Sequence, residues 1–255
     1  MQVKTRFFLA AFITWLAGFV DAIGFISLSD IYTANMSGNS VAVGIQLASQ
    51  NWPAVIHRFW PVVTYVLGLL FCRILIEFGA RERIRSIGSL AWIAEIACLT
   101  PVCVSPIEPG PQSSLWFLFV GLLAFAMGIQ NATLTHFSGV TLNTGFVTGS
   151  LVKFGKQLTA YLTSVYDSAR RPGGSASKAL FRSFHEKPFR LMIGLSTIWP
   201  SYVAGAVCGA LGDYNWHFRS LLIAIACLSV LTAIDLRTPL ALPEERAQEK
   251  TTESE

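Results

Sequence analysis

The sequence predicts an all-α, polytopic membrane protein of about six transmembrane helices in two inverted repeats of three, each with a broken or re-entrant half-helix. Three observations predict it. Of the 255 residues, 53% are hydrophobic and 13% charged, where a soluble domain has about a quarter charged. Six apolar runs approach the roughly twenty residues that cross about 30 Å of hydrocarbon. A polar, glycine-containing stretch behind an apolar helix occurs twice.

The runs extend over 7–28, 59–78, 88–105, 114–135, 189–211 and 219–236. The first follows Lys4 and Arg6, as a secretory leader would. Its length, and the lack of a small-x-small cleavage site after it, make it a spanning helix instead. Cys72, Cys98, Cys103, Cys208 and Cys227 fall inside the runs with no Cys-x-x-Cys pair, so they read as small packing residues.

Basic residues set the orientation. With the N-terminus inside, loop 79–87 brings Arg81, Arg83 and Arg85 to the inner face, and loop 137–188 brings Lys153, Lys156, Arg170, Arg171, Lys178, Arg182 and Lys187. The opposite loops are nearly bare of them, a positive-inside pattern that places both termini in the cytoplasm and the chain in the inner or plasma membrane. Trp60, Trp116 and Trp216 then begin helices at the outer headgroup level. The net charge of +4 reports this topology and no nucleic-acid partner. The partners it implies are the lipid bilayer and a small-molecule solute.

The repeated stretch is Thr33-Ala34-Asn35-Met36-Ser37-Gly38-Asn39, which returns as Thr144-Gly145-Phe146-Val147-Thr148-Gly149-Ser150. Before it, Gly18-Phe19-Val20-Asp21-Ala22 returns as Gly128-Ile129-Gln130-Asn131-Ala132. After it, Tyr65-Val66-x-Gly68 matches Tyr202-Val203-x-Gly205, and Ile96-Ala97-Cys98-Leu99 matches Ile225-Ala226-Cys227-Leu228. The segment 36–50 would make roughly 22 Å of helix at about 1.5 Å per residue, short for a crossing. The second copy, 144–163, is interrupted by Lys153 and Lys156. Counting both as crossings would move the arginines of loop 79–87 outside, so both read as re-entrant segments satisfied by protein or a watery cavity. An odd number of crossings per repeat inverts the second copy. The repeats are then 1–112 and 113–238, the latter with a cytoplasmic linker over 164–188, and 239–255 is a charged tail that reads as disordered.

Ser37 and Thr148 precede Gly38 and Gly149, a composition suited to a helix start whose hydroxyl caps free amides. Two such N-termini meeting at the midplane would favour an anionic or polar solute. Asn35, Ser37, Gly38, Asn39, Thr148, Gly149 and Ser150 are therefore the expected solute-binding residues. The alternative is that small residues let helices pack closely. Asp21 lies inside the first run, where a carboxylate is costly, and is the expected coupling residue; its counterpart is the neutral Asn131. The alternative for Asp21 is a hydrogen-bonded group that holds the turn 33–39. Glu95, near the middle of the third run, matches Ala224 and reads either as a proton relay with Asp21 or as an interfacial or neutralised carboxyl; Arg73 with Glu77 four residues on reads as a snorkelling pair. His57, His136, His185 and His217 have no ligand spacing, and nucleotide-binding, hydrolase and metalloprotease motifs are absent from the sequence. The expectation is no enzyme, no cofactor and no metal.

Gly18 to Phe25, Thr33 to Asn39, Met127-Gly128-Ile129-Gln130-Asn131-Ala132 and Val147-Thr148-Gly149 together resemble the YoaK-like family of bacterial multi-pass membrane proteins. The resemblance implies the class and no substrate; the bulky Phe146 and the long linker depart from it. The sequence points to a secondary transporter or uniporter of a small polar or anionic solute. A channel-like pore, and a non-transporting scaffold or lipid-binding protein, are the alternatives.

Overall fold

A computed structural model describes residues 3–82, 84, 86–138, 147–170 and 187–238. These form helices and short connections: α1 (Val3–Ser27), α2 (Met36–Ala48), α3 (Trp52–Arg81), α4 (Ile87–Cys103), α5 (Ser114–Ser138), α6 (Val147–Arg170), α7 (Lys187–Ser196), α8 (Ile198–Trp216), a 3-10 turn (His217–Ser220) and α9 (Leu221–Arg237). Four stretches among them are long and apolar enough to cross a membrane: Phe7–Ser27, Trp52–Arg81, Ser114–Thr133 and Met192–Arg237. α4 is apolar but has only 17 residues. The runs expected at 189–211 and 219–236 are one apolar stretch of 46 residues. It is divided at the 3-10 turn, where His217 takes a positive φ of 49° and the chain reverses so that α9 packs along α4.

Local chemistry places the helix ends. α3 starts at Trp52, earlier than the hydrophobic run alone suggests, because Asn51 accepts the Ala54 amide at 3.4 Å and Pro53 suits the first turn. α1 ends with Ser29 and Asp30 both at φ 59°, and the Asp30 amide donates to the Phe25 carbonyl at 3.0 Å. This left-handed closure reverses the chain. The returning segment then lies along α1, and Thr33 packs where any Cβ on Gly24 would be. The break after α1 is therefore a fold-back stitched to the helix it leaves.

α1 and α5 form the centre. Two-thirds of their apolar windows is buried against one-third for α3, whose Leu67, Leu70, Phe71, Ile74 and Phe78 point outwards. Ile13, Leu16, Phe19 and Ile23 of α1 meet Val120, Leu123 and Met127 of α5 in one core, joined by Trp92 and Leu99 of α4 and Leu228 of α9. The principal pairs are α1 with α8, α3 with α5, and α4 with α9.

Contacts along each pair give its sense. From one end to the other, Phe7, Trp15, Phe19 and Ser27 of α1 meet Gly194, Gly205, Gly209 and Asp213, so α1 and α8 run parallel. Trp60 bonds Phe117, Gly68 abuts Phe125 and Cys72 meets Thr133, so α3 and α5 are also parallel. Ser89 near the start of α4 bonds Asp235 at the end of α9, while Cys103 reaches Arg219, so that pair is antiparallel. Hence α1, α4 and α8 point one way and α3, α5 and α9 the other. Backbones touch at the crossings: a Cβ on Gly18 would overlap the Tyr202 carbonyl, and one on Gly128 the Tyr65 carbonyl. Small residues permit such close approach in the absence of a hydrophobic force between helices.

Several expectations change. Glu77 pairs with Arg81 at 3.1 Å, not with Arg73, because Arg81 also lies one turn away and both ends are exposed. Trp116 is buried against the His57 ring, 5.0 Å between centroids, so it does not face headgroups. α6 continues to Arg170, through the first residues of the stretch expected as a linker from 164. Residues 171–186 and the tail 239–255 lie outside the described residues, as do Thr144, Gly145 and Phe146.

Candidate functional site

The polar centre of the bundle is built on Asp21. It stands six residues before the end of α1, almost wholly buried. One carboxylate oxygen accepts the Thr33 amide at 2.5 Å, the Ala34 amide at 2.7 Å and the Thr33 hydroxyl at 3.2 Å. The other accepts the Tyr202 hydroxyl at 2.5 Å. One side chain thus fastens its own helix, the fold-back segment and α8. In an apolar interior a carboxylate needs such a donor set to compensate for lost hydration.

A related pair lies nearby. Asn131 of α5 donates to the Tyr65 hydroxyl of α3 at 2.6 Å. Asn131 occupies the position that Asp21 has in the repeat, and Tyr65 that of Tyr202. The Asp21 carboxylate is close enough to act electrostatically on the Tyr65 phenol. Sequence comparison had aligned both tyrosines without assigning them a role. The signal that would have found them is the combination of the Tyr-Val-x-Gly repeat with Gly205 and Gly209 four residues apart, a spacing that seats one helix tightly on another.

The expected solute residues of the first motif are together in the first turn of α2, where the capping differs from the expected one. α2 begins at Met36 with Asn35 at its N-cap, and that side chain makes no cap bond. Ser37 does not cap either: it sits inside the turn, exposed, and its hydroxyl donates to Asn35 Oδ1 at 2.7 Å. Asn39 is fully buried, donating to the Tyr32 carbonyl at 2.7 Å and accepting the Tyr32 amide at 3.3 Å. A side-chain amide used in this way mimics a backbone pair and locks the fold-back. Gly38 leaves room for the Tyr32 ring.

The second motif is described only from Val147. α6 starts there, so Thr148 lies within its first turn rather than ahead of it; Thr148 is exposed, Gly149 half-buried and Ser150 buried. Among the described residues α2 packs on α3, and α6 on α7 and α8. The polar contacts between helices at this level are Asp21 with Tyr202 and Asn131 with Tyr65.

Residues 9–234 match a family model described as "Protein of unknown function (DUF1275)". Among curated proteins, the chain is 29% identical over 161 residues to "UPF0700 transmembrane protein RA0705" of Rhizobium meliloti (strain 1021), covering 62% of this chain and 63% of that protein. It is 30% identical over 60 residues to "UPF0700 transmembrane protein YoaK" of Bacillus subtilis (strain 168), covering 24% of this chain and 27% of that one. The chain thus spans less than two thirds of the length of either relative. No solved structure matches.

Proposed function

From the premise that this chain belongs to the family described as protein of unknown function DUF1275, we propose that it is a secondary transporter or uniporter of a small polar or anionic solute. The bilayer is its solvent, as the match to transmembrane relatives and the four candidate spans support.

The proposed architecture is a pair of inverted repeats of three crossings, each with a half-spanning segment. Three features support it. Helices matched by the sequence repeat, α1 with α5, α3 with α8 and α4 with α9, run in opposite senses. The first helix of each half packs on the Tyr-Val-x-Gly helix of the other. α2 joins the end of α1 to the start of α3 near one face, where Arg58 bonds the Asp30 carbonyl, while α7 lies beside Phe7 at the other. Transporters of this architecture commonly work by moving one half against the other around a midplane site.

The observation that carries the functional reading is Asp21, a buried carboxylate fastening a chain break to a helix of the opposite half. Protonation would weaken all four bonds together, since each has the carboxylate as acceptor. A proton at Asp21 would so be coupled to release of the break around Asn35, Ser37, Gly38 and Asn39. Thr148, Gly149 and Ser150 would serve the second half.

The test is uptake by proteoliposomes containing the full chain, run over a panel of small polar and anionic solutes with and without a pH gradient. Saturable uptake, driven by the gradient and lost in Asp21→Asn, is the expected result. An absence of flux for every solute, with Asp21→Asn indistinguishable from the parent, would overturn it.

A further inference from the structure

Asp21 is not the one buried carboxyl of the bundle core. Glu95, midway along α4, is fully buried, and neither of its carboxylate oxygens has a hydrogen-bond partner. Neither ion pair among the described residues includes it. The residue matched to it on α9 is Ala224, also buried, so packing at this level does not require a carboxyl.

The surroundings leave Glu95 without a counter-charge. α3 brings the Cys72 thiol within electrostatic range, and α4 itself brings Cys98. Cys72 is engaged with the Thr133 hydroxyl of α5 at 3.3 Å. The other ionisable groups of α3 are used or outside: His57 packs at a tilt against Trp116, Arg58 bonds the Asp30 carbonyl, Tyr65 accepts from Asn131, and Arg73, Glu77 and Arg81 are exposed. α5 has no titratable side chain over residues 115–133. α9 carries Cys227, and Asp235 and Arg237 at its end; Asp235 is held by Ser89. The 3-10 turn carries His217, paired with Glu108, and Arg219, at the opposite end of α4.

We propose that Glu95 is a proton-binding site of this protein, separate from Asp21. The two carboxyls differ in kind. Asp21 is held as an acceptor by four donors. Glu95 has none, and an ionised carboxylate without hydration or partners is the costlier form by a wide margin. In this conformation Glu95 is the carboxylic acid. It gives up its proton only when the α3–α4–α5 junction opens to water or to a cationic group, so its proton reports the conformation of the bundle. The step is dissociation of one O–H bond, with the electron pair staying on the carboxylate. Use of this proton in transport rests on the transporter reading; its presence at Glu95 does not.

The test is dicyclohexylcarbodiimide, an apolar reagent that adds a carboxylic acid across its C=N bond and, after rearrangement, leaves a stable N-acylurea. Full-length protein in liposomes is treated over a series of pH values without any solute, and the modified peptide is identified by mass spectrometry. An adduct at Glu95, falling at least tenfold as pH rises, is expected. Glu95→Gln and, as a second variant matched to Ala224, Glu95→Ala should lose the adduct while keeping the thermal transition. No adduct at Glu95 in folded protein, or an adduct whose yield does not change with pH, overturns the proposal. The readout needs no flux, so a failure of the transport assay leaves it standing.

Discussion

Tyr202 donates its hydroxyl hydrogen to Asp21 at 2.5 Å, across a gap of 181 residues in sequence, and so ties the two halves of the chain at the level of the fold-back. Removing either partner should therefore loosen a segment that neither one contains. Asp21→Ala leaves the Thr33 and Ala34 amides and the Tyr202 hydroxyl without their acceptor, a loss of about 3 kcal/mol or more at about 1–3 kcal/mol for each stranded donor. Asp21→Asn keeps an acceptor oxygen and should cost less. Thermal unfolding of the purified protein in detergent would rank the parent above Asp21→Asn, and Asp21→Asn above Asp21→Ala. Equal stability of all three would contradict the anchoring role.

The Tyr202 bond can be isolated from the amide bonds by a double-mutant cycle. Tyr202→Phe removes one hydroxyl and should cost about 1–2 kcal/mol in the parent, and almost nothing once Asp21 is Ala. Tyr65→Phe should be milder, since its partner Asn131 is neutral. Additive effects of Asp21→Ala and Tyr202→Phe would show that the pair is not coupled.

Glycine substitutions separate helix crossings from open helix surface. Gly18→Ala and Gly128→Ala push a methyl group into the Tyr202 and Tyr65 carbonyls, and should cost about 1–3 kcal/mol, with backbone movement. Gly44 and Gly155 have nothing near the added atom, so alanine there should stabilise by up to about 1 kcal/mol through helix propensity. Melting temperatures should move in opposite directions for the two pairs.

Asp235 caps α4 from another helix, accepting the Ser89 amide at 2.9 Å and the Ser89 hydroxyl at 2.7 Å. Asp235→Ala should cost about 1–2 kcal/mol, the usual scale for a lost cap. Ser89→Ala removes only the hydroxyl bond and should cost less. Hydrogen exchange would show the loss first in the opening turns of α4.

Ser37 and Thr148 are both exposed, and the proposed inverted arrangement would put them on opposite sides of the membrane. In a background lacking the native cysteines, Ser37→Cys should react with a membrane-impermeant maleimide from outside, and Thr148→Cys only from inside. Labelling of both from the same side would rule out inverted repeats.

The sequence by itself determined the helical membrane class, the break after α1 and the likeness of the two halves. Composition, run length and repeated words are local properties, and the low solubility of apolar runs in water acts on each run separately. It also marked Asp21 as a costly carboxylate. What the tertiary structure decided was partnership. Tyr202 meets Asp21, and Tyr65 meets Asn131, because each half packs its first helix on the other half's Tyr-Val-x-Gly helix, and a residue's own string says nothing of what a neighbouring helix brings. For the same reason the bonds between Asn39 and Tyr32, and the lack of a hydrogen-bond donor at buried Glu95, could not be read from the sequence. Burial and hydrogen-bond supply arise from all the helices around a site, so they become legible only once the helices are assembled.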